Sequence, residues 1–431
     1  MEKKKLHYGW IILAITVLNL LTALGFGRFS LAAILPFMKD GLTLSYSETG
    51  FVASGVFFGY LISAATVGYF IQKFSGKPVI IVSLFILTGG MLISAFSFNF
   101  WSAYIASFVT GLGSGGANVT SVGLVGRWFT TKYRGMALGI TNSGSGLGMV
   151  FSGFVVPMLM VFYPISGWRI SWALLAVIAM IILLLNVFFL KENPEDKNLV
   201  PYGADKYGDT EVKGTSPSSV NQNQNHVSVY KNKVVWLIGM VYFLWGFSYL
   251  IFSTFYVDFL ITDISFDSTT AGHFFAIGGI FSIISGFIWG TLSDRIGRLL
   301  TLSLVFLIQG CILILFIFST NSIVLLFETI VYGITLWAFP SIIIAAVNDL
   351  MVKEKAGTAI GFVTLLFGFG QLLSPPITGY LIELTTAYSA AFLLSSFACG
   401  VGMIGCLFIH FRYLKIKSVT EEENPSRSMI R

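Results

Sequence analysis

Few side chains in this sequence could do chemistry, and one of them stands alone. Arg28 is the only formal charge in an apolar run from Trp10 to Phe37. About 20 apolar residues span a bilayer as a helix. An ionised side chain inside such a helix costs about 3 kcal/mol or more and is usually kept for function. Arginine presents a planar fork of N–H donors that pairs with both oxygens of a carboxylate. Arg28 therefore predicts a membrane site for a small organic anion. Proton coupling at such a site needs an Asp, Glu or His within the membrane. Glu48 and His273 open apolar runs, Asp258 and Glu383 lie near the ends of others, and Glu328 sits about two turns inside its own. Glu328 and His273 are the proton-coupling candidates, since no carboxylate falls at mid-depth.

The elements that must position these residues are membrane helices. Of 431 residues, 55% are hydrophobic and 11% charged, against about 25% charged in soluble domains. Apolar segments fall at about 8–37, 47–72, 78–99, 101–128, 133–162 and 169–190, then 234–261, 269–293, 299–319, 322–351, 356–384 and 388–412. These twelve spans predict an all-α membrane protein. Residues 1–190 form one six-helix half and 234–412 the other. Residues 191–233 read as a cytoplasmic linker and 413–431 as a tail. The linker, with Pro194, Pro201, Pro217 and the run Asn221–Asn225, has too little apolar surface for a core. No cleavable signal peptide is expected, because the first apolar run is too long and many spans follow it.

Lys and Arg set the orientation. Twenty-three of the 26 fall in loops, linker and tail on one side, Lys39 and Arg169 on the other, and Arg28 in the membrane. Both termini are therefore expected in the cytoplasm, with the protein in the cell membrane. The net charge of +6 is then a topology signal, and no nucleic-acid partner is expected. A shift of 222 residues maps Gly50 onto Gly272, Ser63 onto Ser285 and Gly68 onto Gly290. It also maps Gly135, Gly139, Gly146 and Gly148 onto Gly357, Gly361, Gly368 and Gly370. Parallel repeats of six spans place a substrate near the midplane between halves that rock.

Several local patterns point away from enzymes. Gly111-Leu-Gly113-Ser-Gly-Gly116 fits G-x-G-x-x-G but lies inside a span, without the strand that a dinucleotide site requires. Asn118-Val-Thr120 fits a glycosylation sequon at membrane depth. Cys311, Cys399 and Cys406 lie in apolar runs without metal-ligand spacing. No metal, no cofactor and no catalytic residue is expected.

The loop Gly290-Thr-Leu-Ser-Asp294-Arg295-Ile-Gly297-Arg298 resembles the cytoplasmic G-x-x-x-D-R-x-G-R signature of the major facilitator superfamily. Its first-half equivalent, Gly68-Tyr-Phe-Ile-Gln72-Lys73-Phe-Ser-Gly76-Lys77, has Gln72 for the acid and its second glycine displaced by one. The stretch Trp128-Phe129 to Arg134-Gly135-Met-Ala137-Leu-Gly139 looks like the junction in the monocarboxylate and oxalate/formate transporter group. Gly25-Phe-Gly27-Arg28-Phe29, Leu35-Pro36-Phe37-Met38 and Gly368-Phe-Gly370-Gln371 to Ser374-Pro375 resemble YbfB/YjiJ-type bacterial permeases. The first span lacks the acidic D-G-G-x-G-W opening of monocarboxylate transporters, and the eighth lacks their Asp/Arg pair, so Arg28 must carry the anion's charge.

The resemblance implies a cavity lined by spans 1, 4, 7 and 10. On these lie Arg28, Asn118, Tyr249, Tyr332 and Trp337, to which Asn142 and Gln371 are added from spans 5 and 11. It implies a cytoplasmic gate at Asp294, Arg295, Arg298 and Arg134. The expected function is secondary transport of a monocarboxylate-like anion by alternating access, through proton symport or anion exchange. The expected partners are that small molecule and the lipid bilayer, with the chain acting as a monomer. The alternative is an efflux permease for drugs or hydrophobic compounds. A cationic cargo would want an unpaired acid near the midplane, and none is present.

Overall fold

The computed structural model describes residues 7–204, 229–351 and 353–423. Twelve long helices carry the described chain. They are α1 (Gly9–Leu42), α2 (Tyr46–Phe74), α3 (Gly76–Ala95), α4 (Phe100–Trp128), α5 (Thr131–Phe162) and α6 (Gly167–Phe189), then α7 (Lys233–Thr262), α8 (Ser268–Ile296), α9 (Arg298–Phe318), α10 (Ser322–Leu350), α11 (Lys353–Thr385) and α12 (Tyr388–Glu423). Eleven are long and apolar enough to cross a membrane. The exception is α4, whose interior is diluted by Gly111, Gly113, Ser114, Gly115 and Gly116. The expected spans match these helices, except that α1 runs on past Phe37 to Leu42 and α12 runs on past Arg412 to Glu423, into the expected tail, whose residues 424–431 lie outside the described residues.

Side chains start several helices where the sequence supplies them. Ser45 and Glu48 form a reciprocal capping box at α2, and Asn99 with Ser102 forms another at α4. Asp267 accepts the Thr269 and Thr270 N–H groups at the head of α8. A bond from the Thr270 hydroxyl, and then those N–H bonds, hold its carboxyl below the usual range against a small burial effect.

The described residues pack as two compact units. One takes in Met1–Gln222, Leu250–Ile283 and Leu372–Ala391; the other takes in Asn223–Tyr249, Ile284–Gln371 and Phe392–Arg431. Within the first unit, small residues bring helices together. A Cβ on Gly50 (α2) would strike the Pro375 carbonyl of α11, and one on Gly272 (α8) would strike the Gly153 carbonyl of α5. Gly50 and Gly272 are 222 residues apart, and so are Gly153 and Pro375. The offset read from glycines therefore relates two real helix contacts.

The linker's first part packs, which its composition did not predict. A short 3-10 turn covers Pro194–Lys197. Beyond it, Tyr202 packs against the rings of Trp10, Phe129 and Tyr133. Residues 205–228 of the expected linker lie outside the described residues.

Two one-residue turns show what the loop glycine is for. Gly297 joins α8 to α9 at φ +96° and ψ 148°. Ser75, also 222 residues earlier, joins α2 to α3 at φ 67° and ψ 170°. This region belongs almost wholly to glycine and costs a side chain about 1–3 kcal/mol. The displaced glycine, Gly76, instead opens α3, where its N–H donates to Glu192. Ser75→Gly is expected to stabilise the protein by about 1 kcal/mol, after the extra chain entropy of glycine is subtracted. Thermal unfolding of the purified variant checks this. An unchanged or lower midpoint would mean that Ser75 is not strained.

Candidate functional site

The first helix is not a plain α-helix where its charge lies. Leu21–Phe29 winds as a π-helix, a rare geometry that is frequent at functional sites. Gly25 lies against Gly148 of α5 so closely that a Cβ would meet its Cα at 2.7 Å. From α4, the Ser114 hydroxyl donates to the Ala23 carbonyl inside the wide turn. Arg28 sits near the end of this stretch and is buried. Its guanidinium lies over two rings of α2, 4.6 Å from the centre of Phe57 and 5.1 Å from that of Tyr60. Such contacts contribute about 2 kcal/mol when desolvated. The Tyr60 hydroxyl in turn accepts a bond from Asn118 Nδ2 at 2.8 Å. Arg28 also lines a narrow recess with Ala32, Ala53, Val56, Ser253 and Thr254. Of the expected binding residues in this unit, Arg28 and Asn118 thus join through Tyr60. Asn142 stands exposed on α5.

The second unit holds its own polar and aromatic cluster. Trp245 stacks on Tyr249 at 4.6 Å, on Phe339 at 4.9 Å and on Phe367 at 5.3 Å. Gln371 Nε2 donates to the Tyr249 hydroxyl. Trp337 approaches Tyr249 at 6.2 Å, from a break in α10. The break follows from Pro340, whose ring crowds the carbonyl four residues back, at Leu336. The freed Trp337 N–H donates to Ser285 Oγ at 3.0 Å. The structure thus gathers Tyr249, Trp337 and Gln371, while Tyr332 is buried against Phe316.

The two coupling candidates differ in setting. Glu328 is buried in α10; Oε1 accepts the Ser319 hydroxyl, and Oε2 has no partner among the described residues. His273 is exposed, with its ring 5.0 Å from that of Phe154. Among the described residues, no group of three His, Cys, Asp or Glu could hold a metal ion.

Comparison with known proteins settles what kind of protein carries this arrangement. The Major Facilitator Superfamily matches residues 17–365 and 257–430. The chain belongs to this family. It is a multi-pass membrane transporter and not an enzyme. It is 26% identical to a probable sulfoacetate transporter of Cupriavidus necator, over 89% of this chain and 90% of that one. It is 25% identical to a hexuronate transporter of Bacillus subtilis, over 92% and 94% respectively. The fold is similar to that of the crystallised nucleoside transporter NupG, with a TM-score of 0.73, 14% identity and coverage of 94% and 99%.

The superfamily loop is ordered by its charges. Arg298 bonds Asp294 and Ser293 Oγ and reaches Asp349 of α10 at 3.3 Å. Arg295 is exposed. Arg134 donates to the Gly126 carbonyl at 3.1 Å, tying the start of α5 to the end of α4. The first-half loop lacks an acid at Gln72, but Glu192 provides one from beyond α6. Its carboxylate accepts the Gly76 N–H at 2.9 Å and pairs with Arg127 at 2.6 Å. Burial alone would raise that carboxyl's pKa, but these bonds outweigh burial and hold it below the ordinary range.

One pair was missed because Lys39 was read only as a topology signal and Asp258 only as an acid near a span's end. Lys39, in the extra turns of α1, bonds Asp258 of α7 at 3.0 and 3.3 Å and lies 4.1 Å over the Tyr46 ring. Both charges are buried, at 9% and 4% exposure. Beside them Tyr46 meets Tyr388 edge-on, and Glu383 accepts from the Ser47 hydroxyl and N–H. This ties the α1–α2 turn to the ends of α7 and α11. Asp263, one turn beyond Asp258, has its carboxyl pushed up by burial and by that neighbouring charge, against one backbone hydrogen bond. The sequence signal for the pair was available: a cation and an acid, each near a span's end on the same side.

Removing Lys39 alone leaves Asp258 buried without its cation. Lys39→Ala is expected to destabilise by about 3–5 kcal/mol, whereas Lys39→Met with Asp258→Leu should recover most of the loss. Melting curves of the three proteins test this; equal losses in single and double variants would mean that the pair is not coupled.

Proposed function

We propose that this chain is a secondary transporter of a small, monocarboxylate-like organic anion, with Arg28 as the residue that takes its charge. The observation that carries the reading is a buried guanidinium, in a π-helical turn of a membrane helix, lining a recess whose other walls are apolar or hydroxylated. An arginine keeps its charge at any physiological pH, so an anion is the cargo it suits. Two similar transporters are named for anions, sulfoacetate and hexuronate. Asn118 supports the site through Tyr60. Tyr249, Trp337 and Gln371 offer a polar–aromatic surface for the cargo's body, and we keep Tyr332 and Asn142 as further contacts.

Transport runs by alternating access, with residues 1–190 and 234–412 as the moving halves. The bias of Lys and Arg supports cytoplasmic termini in the cell membrane. The pairs around Arg298, Arg134 and Arg127 then lie at the cytoplasmic gate, and Lys39–Asp258 lies at the outer one. The chain acts as a monomer, without nucleic acid.

Thermal shift of the purified protein against small carboxylates and lipophilic cations tests the cargo, since a ligand of the folded state raises its apparent stability. Carboxylates should stabilise the parent and leave Arg28→Gln unmoved. Stabilisation by cations only, or carboxylate binding indifferent to Arg28, would overturn the reading in favour of an exporter. Coupling is tested separately, in proteoliposomes. If Glu328 or His273 carries the proton, Glu328→Gln or His273→Ala abolishes uptake driven by a pH gradient while leaving counterflow intact. Gradient-driven uptake surviving both changes removes both residues from that role.

A further inference from the structure

The recess at Arg28 holds a second polar group that anion binding by Arg28 alone does not use. Ser253, on α7, is buried at 3% exposure, and its hydroxyl has no hydrogen-bond partner among the described residues. This is unusual for a membrane helix, where a hydroxyl commonly donates to a carbonyl of the preceding turn. Thr88, Thr110, Thr120 and Thr378 all do so. Ser253 does not, although its own helix offers the same carbonyls. A buried polar group left unpaired is costly, and each one calls for an explanation. Ser253 lines the recess next to Thr254 and together with Arg28.

We propose that Ser253 is a specificity residue of the anion site and reads a third oxygen on the cargo's acidic head. The proposal rests on the Arg28 reading above. The fork of Arg28 engages two oxygens of an acid group. A third oxygen, held close to the first two by the narrow recess, meets the Ser253 hydroxyl. Two kinds of head supply it: a carboxylate with a hydroxyl on the next carbon, and a sulfonate with its own third oxygen. Leu31, Val56 and Leu250 give the rest of the recess an apolar wall, which favours a short, uncharged body.

The test compares propionate, lactate and ethanesulfonate, which have similar bodies and differ in the third oxygen and its place. Dissociation constants come from thermal-shift titrations of the full chain. The parent should bind lactate, ethanesulfonate or both about five- to tenfold more tightly than propionate, the worth of one hydrogen bond. Which of the two gains identifies the source of the oxygen. Ser253→Ala should bring the favoured ligand down to the affinity of propionate and leave propionate itself unchanged, while Ser253→Thr keeps the preference. Ser253→Cys, nearly the same size with a weak donor, replaces the alanine variant if that fails to fold. A parent without preference, or a preference that survives loss of the hydroxyl, overturns the role of Ser253 while the Arg28 reading stands. Failure of all three anions to bind the parent overturns both.

Discussion

The cost of keeping charge away from water governs this structure. Among the described residues, four charged side chains are buried: Arg28, Lys39, Asp258 and Glu328. Each escapes the cost differently. Lys39 and Asp258 neutralise each other across 3.0 Å. Glu328 can shed its charge by taking a proton, and its Ser319 partner bonds either form. Arg28 cannot shed its charge, because a guanidinium keeps its proton. Its charge must be met by its surroundings, among them the faces of Phe57 and Tyr60. The fixed charge, the removable charge and the mutually cancelling pair thus differ in what they can do chemically.

Close packing of small residues makes those placements compatible with movement. Gly25 against Gly148, Gly50 against Pro375 and Gly272 against Gly153 bring backbones together without interlocking side chains. Association in a bilayer depends on such van der Waals fit, since lipid offers no hydrophobic drive between helices. Surfaces of this kind part or slide without pulling large knobs out of holes. The second and third contacts repeat at one sequence offset, each joining an early helix to a late one within the first unit.

The architecture was legible because bilayer physics writes itself into long segments. The twelve apolar runs needed no tertiary information, and they return as twelve long helices. Arg28 was legible for the same reason, as a charge out of place. Less visible was anything that depends on which face of a helix meets which neighbour. Phe57, Tyr60 and Ser253 look like ordinary span residues until the fold brings them to Arg28. Lys39 and Asp258 lie 219 positions apart, and nothing local pairs them. Glu192 was hidden by the linker's composition, which describes the average of the stretch and not its first residues. The π-helical turn leaves no simple periodic mark, although Gly25 and Gly27 stand inside it.

The two buried cations of α1 show why residue type matters as much as charge. Lys39 is a compact point charge at the end of a flexible stem, suited to a carboxylate on one side and a ring on another. Arg28 is flat. Its faces attract rings through the quadrupole, while its N–H bonds radiate from its edges. Phe57 and Tyr60 can therefore hold the guanidinium by its faces and leave its edges to hydrogen bonds. An aromatic cradle of this kind fixes the plane of the fork, and the plane of the fork dictates how an acid group must lie. Beside that plane in the recess, α7 places the hydroxyls of Ser253 and Thr254, within the same walls as the fork.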